Sequence, residues 1–174
     1  MNNFLKAAAF SLFIIGVYTF FADRLIPPIA PQAPPPLTEE AAARPMTTDE
    51  FARLGEEVFK GKGACTLCHN PVGGRAPLLD GIIIKAGGRI KGPGYRGGAK
   101  DAAGYIRESM TSPSAYVVPG FGVAGTGDTK SPMPDVRGGE IGLSEIEIDA
   151  VIAYLQRSAG VEVTVRSPKG PEGK

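Results

Sequence analysis

Histidine occurs once in this 174-residue chain and cysteine twice, and all three fall within the segment Cys65-Thr66-Leu67-Cys68-His69. A disulfide framework would need more cysteines, spread along the chain. A structural zinc site normally takes four Cys or His ligands, one more than the chain has. Charge of neither sign is in excess, with 19 Lys and Arg against 18 Asp and Glu and a formal net charge of +1. A nucleic-acid binder usually shows a strong basic surplus, so no nucleic acid is expected as a partner. The length suits one domain with extensions. Glycine (24) and proline (16) are plentiful, which points to long loops and linkers.

Charge is also missing from one stretch. Ala7 to Ala22 carries none, and as a helix it would run about 24 Å. Phe4 and Leu5 extend it beyond Lys6, whose stem can snorkel. The longer stretch suffices to span roughly 30 Å of hydrocarbon. Residues 1–26 are therefore expected to be a retained transmembrane anchor. A removed signal peptide is the alternative, although no convincing small-x-small cleavage site follows Phe20-Phe21-Ala22. Lys6 and the terminal amine favour an internal N-terminus, and Arg24 weakens that asymmetry. The expected location is a bacterial inner (cytoplasmic) membrane, with the rest of the chain in the periplasm or on the outer face. Residues 27–46 form a proline-rich linker. Its segment PPIAPQAPPP favours an extended polyproline II stalk, and Thr38 to Ala43 could make one helical turn.

Residues 47–160 read as an all-α domain with three main helices and long loops. Thr47-x-x-Glu50 is a capping box, with Phe51, Leu54, Val58 and Phe59 at helical spacing behind it and Gly61 and Gly63 at the end. Residues 71–100 are glycine-rich and poor in periodicity, so they read as loops. Asp101 to Ser112 predicts a second helix with Ala102, Tyr105, Ile106 and Met110 in phase. Residues 113–142 read as another loop. Ser144-x-x-Glu147 opens a third helix with an apolar stripe of Ile148, Val151, Ile152 and Leu155, which Gly160 stops. The tail, 161–174, alternates Val161, Val163 and Val165, then turns polar and is expected to be mobile. So little helix with so much loop buries a small core. A large apolar cofactor, wrapped by the loops, would supply the missing interior.

C-x-x-C-H is the attachment signature of c-type haem. Two thiols, Cys65 and Cys68, add across two porphyrin vinyl groups. The adjoining His69 supplies one axial bond to iron. A redox-active C-x-x-C pair would want a thioredoxin-like alternation of strands and helices, which the pattern lacks. One covalent haem c is therefore expected. A second histidine ligand from this chain is excluded, so a methionine is the leading candidate for the other axial bond. Met1 is terminal, Met46 ends the stalk, and Met110 reads as core. Met133 is the expected second axial ligand: it lies between Pro132 and Pro134, which stiffen the loop before the last helix and can hold the sulfur in place. An open or water-bound site is the alternative.

Residues 47–158 resemble class I (monohaem) cytochromes c. The likeness rests on Cys65 to His69, on Ala76-Pro77-Leu78, on Pro132-Met133-Pro134, and on Gly55, Phe59 and Tyr154, which match the family's crossing of first and last helices. The segment from Tyr105 to Val118 is similar to cytochrome c domains of respiratory complexes. The resemblance implies that the Pro77 carbonyl takes the other ring nitrogen of His69. It also implies a haem pocket that includes Pro77, Leu78, Ile106 and Tyr116. The glycine-rich insert at 82–100 departs from the family pattern. Lys85, Arg89, Lys91, Arg96, Lys100 and Arg107 lie in or beside it against Asp101. That is a solvated loop, a docking patch for an acidic redox partner, or a set of contacts to haem propionates.

The expectation is a membrane-tethered one-electron carrier and not an enzyme in itself. It would pass electrons between periplasmic-side redox partners, as a subunit of a respiratory or photosynthetic electron-transfer complex whose other subunits are those partners. The alternative is a haem enzyme, or a gas or peroxide sensor, with an open axial position.

Overall fold

The computed structural model describes residues 2–25 and 44–168. The linker expectations for residues 26–43, including a turn near Thr38, and those for residues 169–174 lie outside the described residues. The chain divides into two units, Met1–Ala33 and Pro34–Lys174. The described residues form helices and no strands.

The first unit carries α1, Asn2–Leu25. Its 24 residues extend about 36 Å. The segment Asn3–Arg24 is long and apolar enough to cross a membrane. Phe4, Phe10, Leu12, Phe13 and Phe20 are all uncovered by protein, so the helix has apolar side chains on its whole circumference.

The second unit holds α2 (Thr48–Lys60), a single 3-10 turn (Cys65–Leu67), α3 (Ile82–Ile90), α4 (Ala102–Thr111) and α5 (Glu145–Ser158). Both capping boxes form. Thr47 Oγ1 accepts from the Glu50 amide while the Glu50 carboxylate takes the Thr47 amide, and Ser144 with Glu147 repeats the arrangement. Asp101 caps α4 by accepting from the Gly104 amide.

The expectation of three main helices is corrected to four among the described residues of this unit. Residues 82–90, read as loop, are helical. Gly87 and Gly88 depress helix propensity there. Ile82, Ile83 and Ala86 are nevertheless buried on one face, and that burial outweighs the glycines, each buried isoleucine contributing about 1.5–3 kcal/mol.

Helices α2 and α5 make the main packing. A β-carbon on Gly55 would sit 1.8 Å from the Ala150 carbonyl oxygen, so only glycine lets the backbones approach this closely. Phe59 and Tyr154 meet at the same crossing as a tilted aromatic pair, with ring centroids 5.4 Å apart. Phe51, Ile148, Val151 and Ile152 are fully buried. Glu147 is buried beside them, and its carboxylate accepts Lys62 Nζ at 2.9 and 2.8 Å and the Ser144 amide at 2.7 Å. The charge is thus paired and hydrogen-bonded, as burial requires.

The segment after α5 folds back instead of extending. The Gln156 amide brackets Thr164, donating to its Oγ1 at 2.7 Å and accepting its N–H at 3.0 Å. Val163 and Val165 pack beside Phe51 and Ala150.

Candidate haem-attachment site

Lys60 ends α2, and the next residues reverse the chain. The Gly63 amide donates to the Val58 carbonyl at 2.8 Å. A β-carbon on Gly63 would meet that oxygen at 2.9 Å and Cys65 Sγ at 3.2 Å. Ala64 then takes a left-handed φ of 50°, uncommon for a residue with a β-carbon. The amides of Cys68 and His69 both turn back to the Cys65 carbonyl, at 3.3 and 2.9 Å. The two cysteines therefore sit on one tight turn, both as free thiols. Cys65 is half-buried and Cys68 exposed. Burial pushes the Cys65 thiol up to about 11, so it stays protonated at neutral pH. Disulfide exchange wants the opposite shift, towards thiolate.

His69 lies 2.8 Å through Nδ1 from the Pro77 carbonyl oxygen. A carbonyl can only accept, so Nδ1 carries the proton and donates it. That leaves the Nε2 lone pair available to a metal. The ring also lines a surface cavity of about 300 Å³ with Phe59, Leu79, Asp80, Tyr154 and Leu155.

Met133 is half-buried. Its amide donates to Ser131 Oγ at 3.1 Å, and the Ser131 amide donates to Ser114 Oγ at 3.1 Å. Three residues on, the Val136 amide reaches the Met110 carbonyl at 3.0 Å and its own carbonyl accepts from Leu143 at 2.8 Å. The methionine loop is thus pinned on both sides. Met110 itself is core, as its helical phase predicted.

The expected site residues converge in part. Ile106 is buried in the main core cluster, and Cys65, Tyr116 and Met133 pack against that cluster. Leu78 is 42% exposed, and the neighbour that packs on the core is Leu79. Sequence reasoning singled out neither Leu79 nor Tyr95. Tyr95 forms an aromatic group with Tyr105 and Tyr116, centroids 5.4–6.1 Å apart. Its hydroxyl donates to Glu108 at 2.5 Å and accepts the Ala99 amide at 2.9 Å. Burial, then the Glu108 carboxylate, raises the Tyr95 phenol above its ordinary value. The lone tyrosine in a glycine-rich run was the available signal.

Among the described residues, no three His, Cys, Asp or Glu side chains gather where they could hold a bare metal ion. A haem iron asks less of the protein, since the porphyrin supplies four nitrogens and the chain one or two axial ligands. Two unpaired thiols on one turn, an imidazole with Nε2 free, and a thioether on a pinned loop are a donor set that fits that group.

No protein-family model and no curated protein matches the chain.

Proposed function

We propose that this chain is a membrane-tethered electron carrier of the class I cytochrome c type, holding one covalent haem c. The observation that carries the reading is the His69 ring, tied at Nδ1 to the Pro77 carbonyl beside two free thiols in C-x-x-C-H spacing. Cys65 and Cys68 supply the thioether sulfurs. The Pro77 carbonyl fixes the His69 ring and raises its basicity as an axial ligand. Met133 offers the second axial sulfur. Ile106 and Tyr116 supply apolar surface that excludes water. When bound, the haem provides a one-electron iron couple, whose potential His/Met ligation raises. The raised Cys65 thiol, and the absence of strands among the described residues, speak against a dithiol oxidoreductase. Helix α1 would hold the carrier at an inner membrane with its N-terminus inside. The second unit would then face the periplasm, where haem attachment and redox partners would meet it.

The test is spectroscopic. Protein made with haem-attachment machinery should keep its haem through denaturing electrophoresis, and Cys68→Ser should lower that attachment. The ferric protein should show the far-red sulfur-to-iron band, and Met133→Ala should abolish it. A haem protein without that band, unchanged by Met133→Ala, would instead be an open-site enzyme or sensor. A chain that takes no covalent haem refutes the whole reading.

A further inference from the structure

Residues 81–101 carry five cations, Lys85, Arg89, Lys91, Arg96 and Lys100, against the single carboxylate of Asp101. The other described residues of this unit, 44–80 and 102–168, carry ten cations against thirteen carboxylates. These residues are nearly neutral in sum, and their charge is uneven along the sequence.

The structure alters the meaning of that surplus in three ways. First, Arg107 leaves the group, because its guanidinium pairs with Glu145 at 2.5 Å and with Asp149. Second, Arg89 turns inward to Tyr105, donating to its hydroxyl at 3.3 Å. Third, Lys85, Lys91, Arg96 and Lys100 are exposed, and none joins an ion pair among the described residues. The Glu108 carboxylate reaches the segment, but it accepts the Tyr95 hydroxyl and the Gly98 amide and pairs with none of these cations.

The cations also stand on a fastened base. Ile82, Ile83 and Ala86 bury one face of α3, while Ile84 on the other side is 70% exposed next to Lys85. Tyr95 and Glu108 knot the segment behind the helix onto α4. Ile90 and Tyr95 pack against the same cluster that Cys65 and Met133 touch. A charged lobe is therefore built on the core that carries the candidate redox site.

The geometry points to this lobe, 81–101, as the docking surface for an acidic face of a redox protein. This rests on the electron-carrier reading and names the chemistry of its partner. Four exposed cations in one segment, with Ile84 exposed next to Lys85, suit an apolar contact with a charged rim. A single exposed isoleucine is little for insertion into lipid, where binding strength scales with buried apolar area. Charges of this kind act chiefly on the encounter rate.

The experiment uses the full haem-loaded chain in nanodiscs of neutral phosphatidylcholine, with a reduced acidic [2Fe–2S] ferredoxin as the probe. The second-order reduction rate should fall at least tenfold between low salt and about 0.5 M salt, as screening predicts. Reversing Lys85, Lys91, Arg96 and Lys100 to Glu should lower the low-salt rate by tenfold or more. Reversing Arg44, Arg53, Lys130 and Arg166, four exposed cations elsewhere, should lower it less than threefold. Equal effects of the two quadruple reversals overturn the assignment. So does protection of Lys85, Lys91 and Lys100 from acetylation by anionic phosphatidylglycerol nanodiscs alone, because the lobe would then be a lipid site. Calorimetric binding of oxidised ferredoxin needs no haem on this chain. Salt-dependent binding without electron transfer would fault the haem reading, whereas loss of both would fault the lobe.

Discussion

At the scale of single residues, hydrogen bonds do most of the positioning. One proton on His69 Nδ1 decides which nitrogen can meet a metal, and Pro77 decides where that proton is. Asp128 plays a comparable part in the loop before Met133. It sits at φ 58° and accepts the amides of Gly120 and Gly122 at 2.8 and 2.9 Å. Those two bonds hold its carboxyl below the usual value of 3.8. A depressed carboxylate lends its order above the ordinary pKa and loses it as pH falls through the lowered one. The Gly120 and Gly122 amides should therefore keep their hydrogen-exchange protection at pH 5 and lose it progressively below about pH 4. Asp128→Asn should remove most of that pH dependence. Unchanged protection down to pH 2 would show that the loop is held by something else.

At the scale of elements, the crossing of α2 on α5 sets the frame. Gly55→Ala forces a methyl group into the Ala150 carbonyl, a backbone atom that cannot step aside. The variant should lose about 3 kcal/mol in chemical denaturation, through overpacking of a tight contact. A loss under 1 kcal/mol would mean that the helices slide apart cheaply. Element α3 teaches the complementary lesson. Its glycine pair argues for a loop by propensity, yet three buried side chains on one face hold it helical. Propensity is local, and burial is granted by neighbours far along the chain, here Tyr105 and Ile106 of α4 in the same cluster.

At the scale of the whole molecule, the chain divides into two units. Helix α1 has the length and apolar composition to cross a bilayer. The full chain should need detergent for extraction and should resist alkaline carbonate. A chain lacking residues 1–25 should appear in the soluble fraction with its α-helical circular dichroism otherwise retained. Recovery of the full chain in the soluble fraction would refute the anchor. A naturally cleaved form in native membranes would do the same.

Much of the candidate site was legible before any fold was known, because its information is short-range. Cys65, Cys68 and His69 lie within one turn, so their spacing alone places two thiols beside an imidazole. The caps at Thr47, Asp101 and Ser144 are likewise three-residue patterns, and each appears where the sequence predicts it. The apolar run of α1 needs only composition to be recognised. Other features depend on contacts between distant residues, and sequence spacing carries no record of them. Packing alone made a helix of residues 82–90 and chose Leu79 over Leu78 for the core. Pairing across 38 and 42 residues withdrew Arg107 from the basic group. The chain by itself determined which side chains could hold a cofactor. Tertiary structure decided which cations of the basic group are paired among the described residues, since only folding brings Glu145 and Asp149 to Arg107.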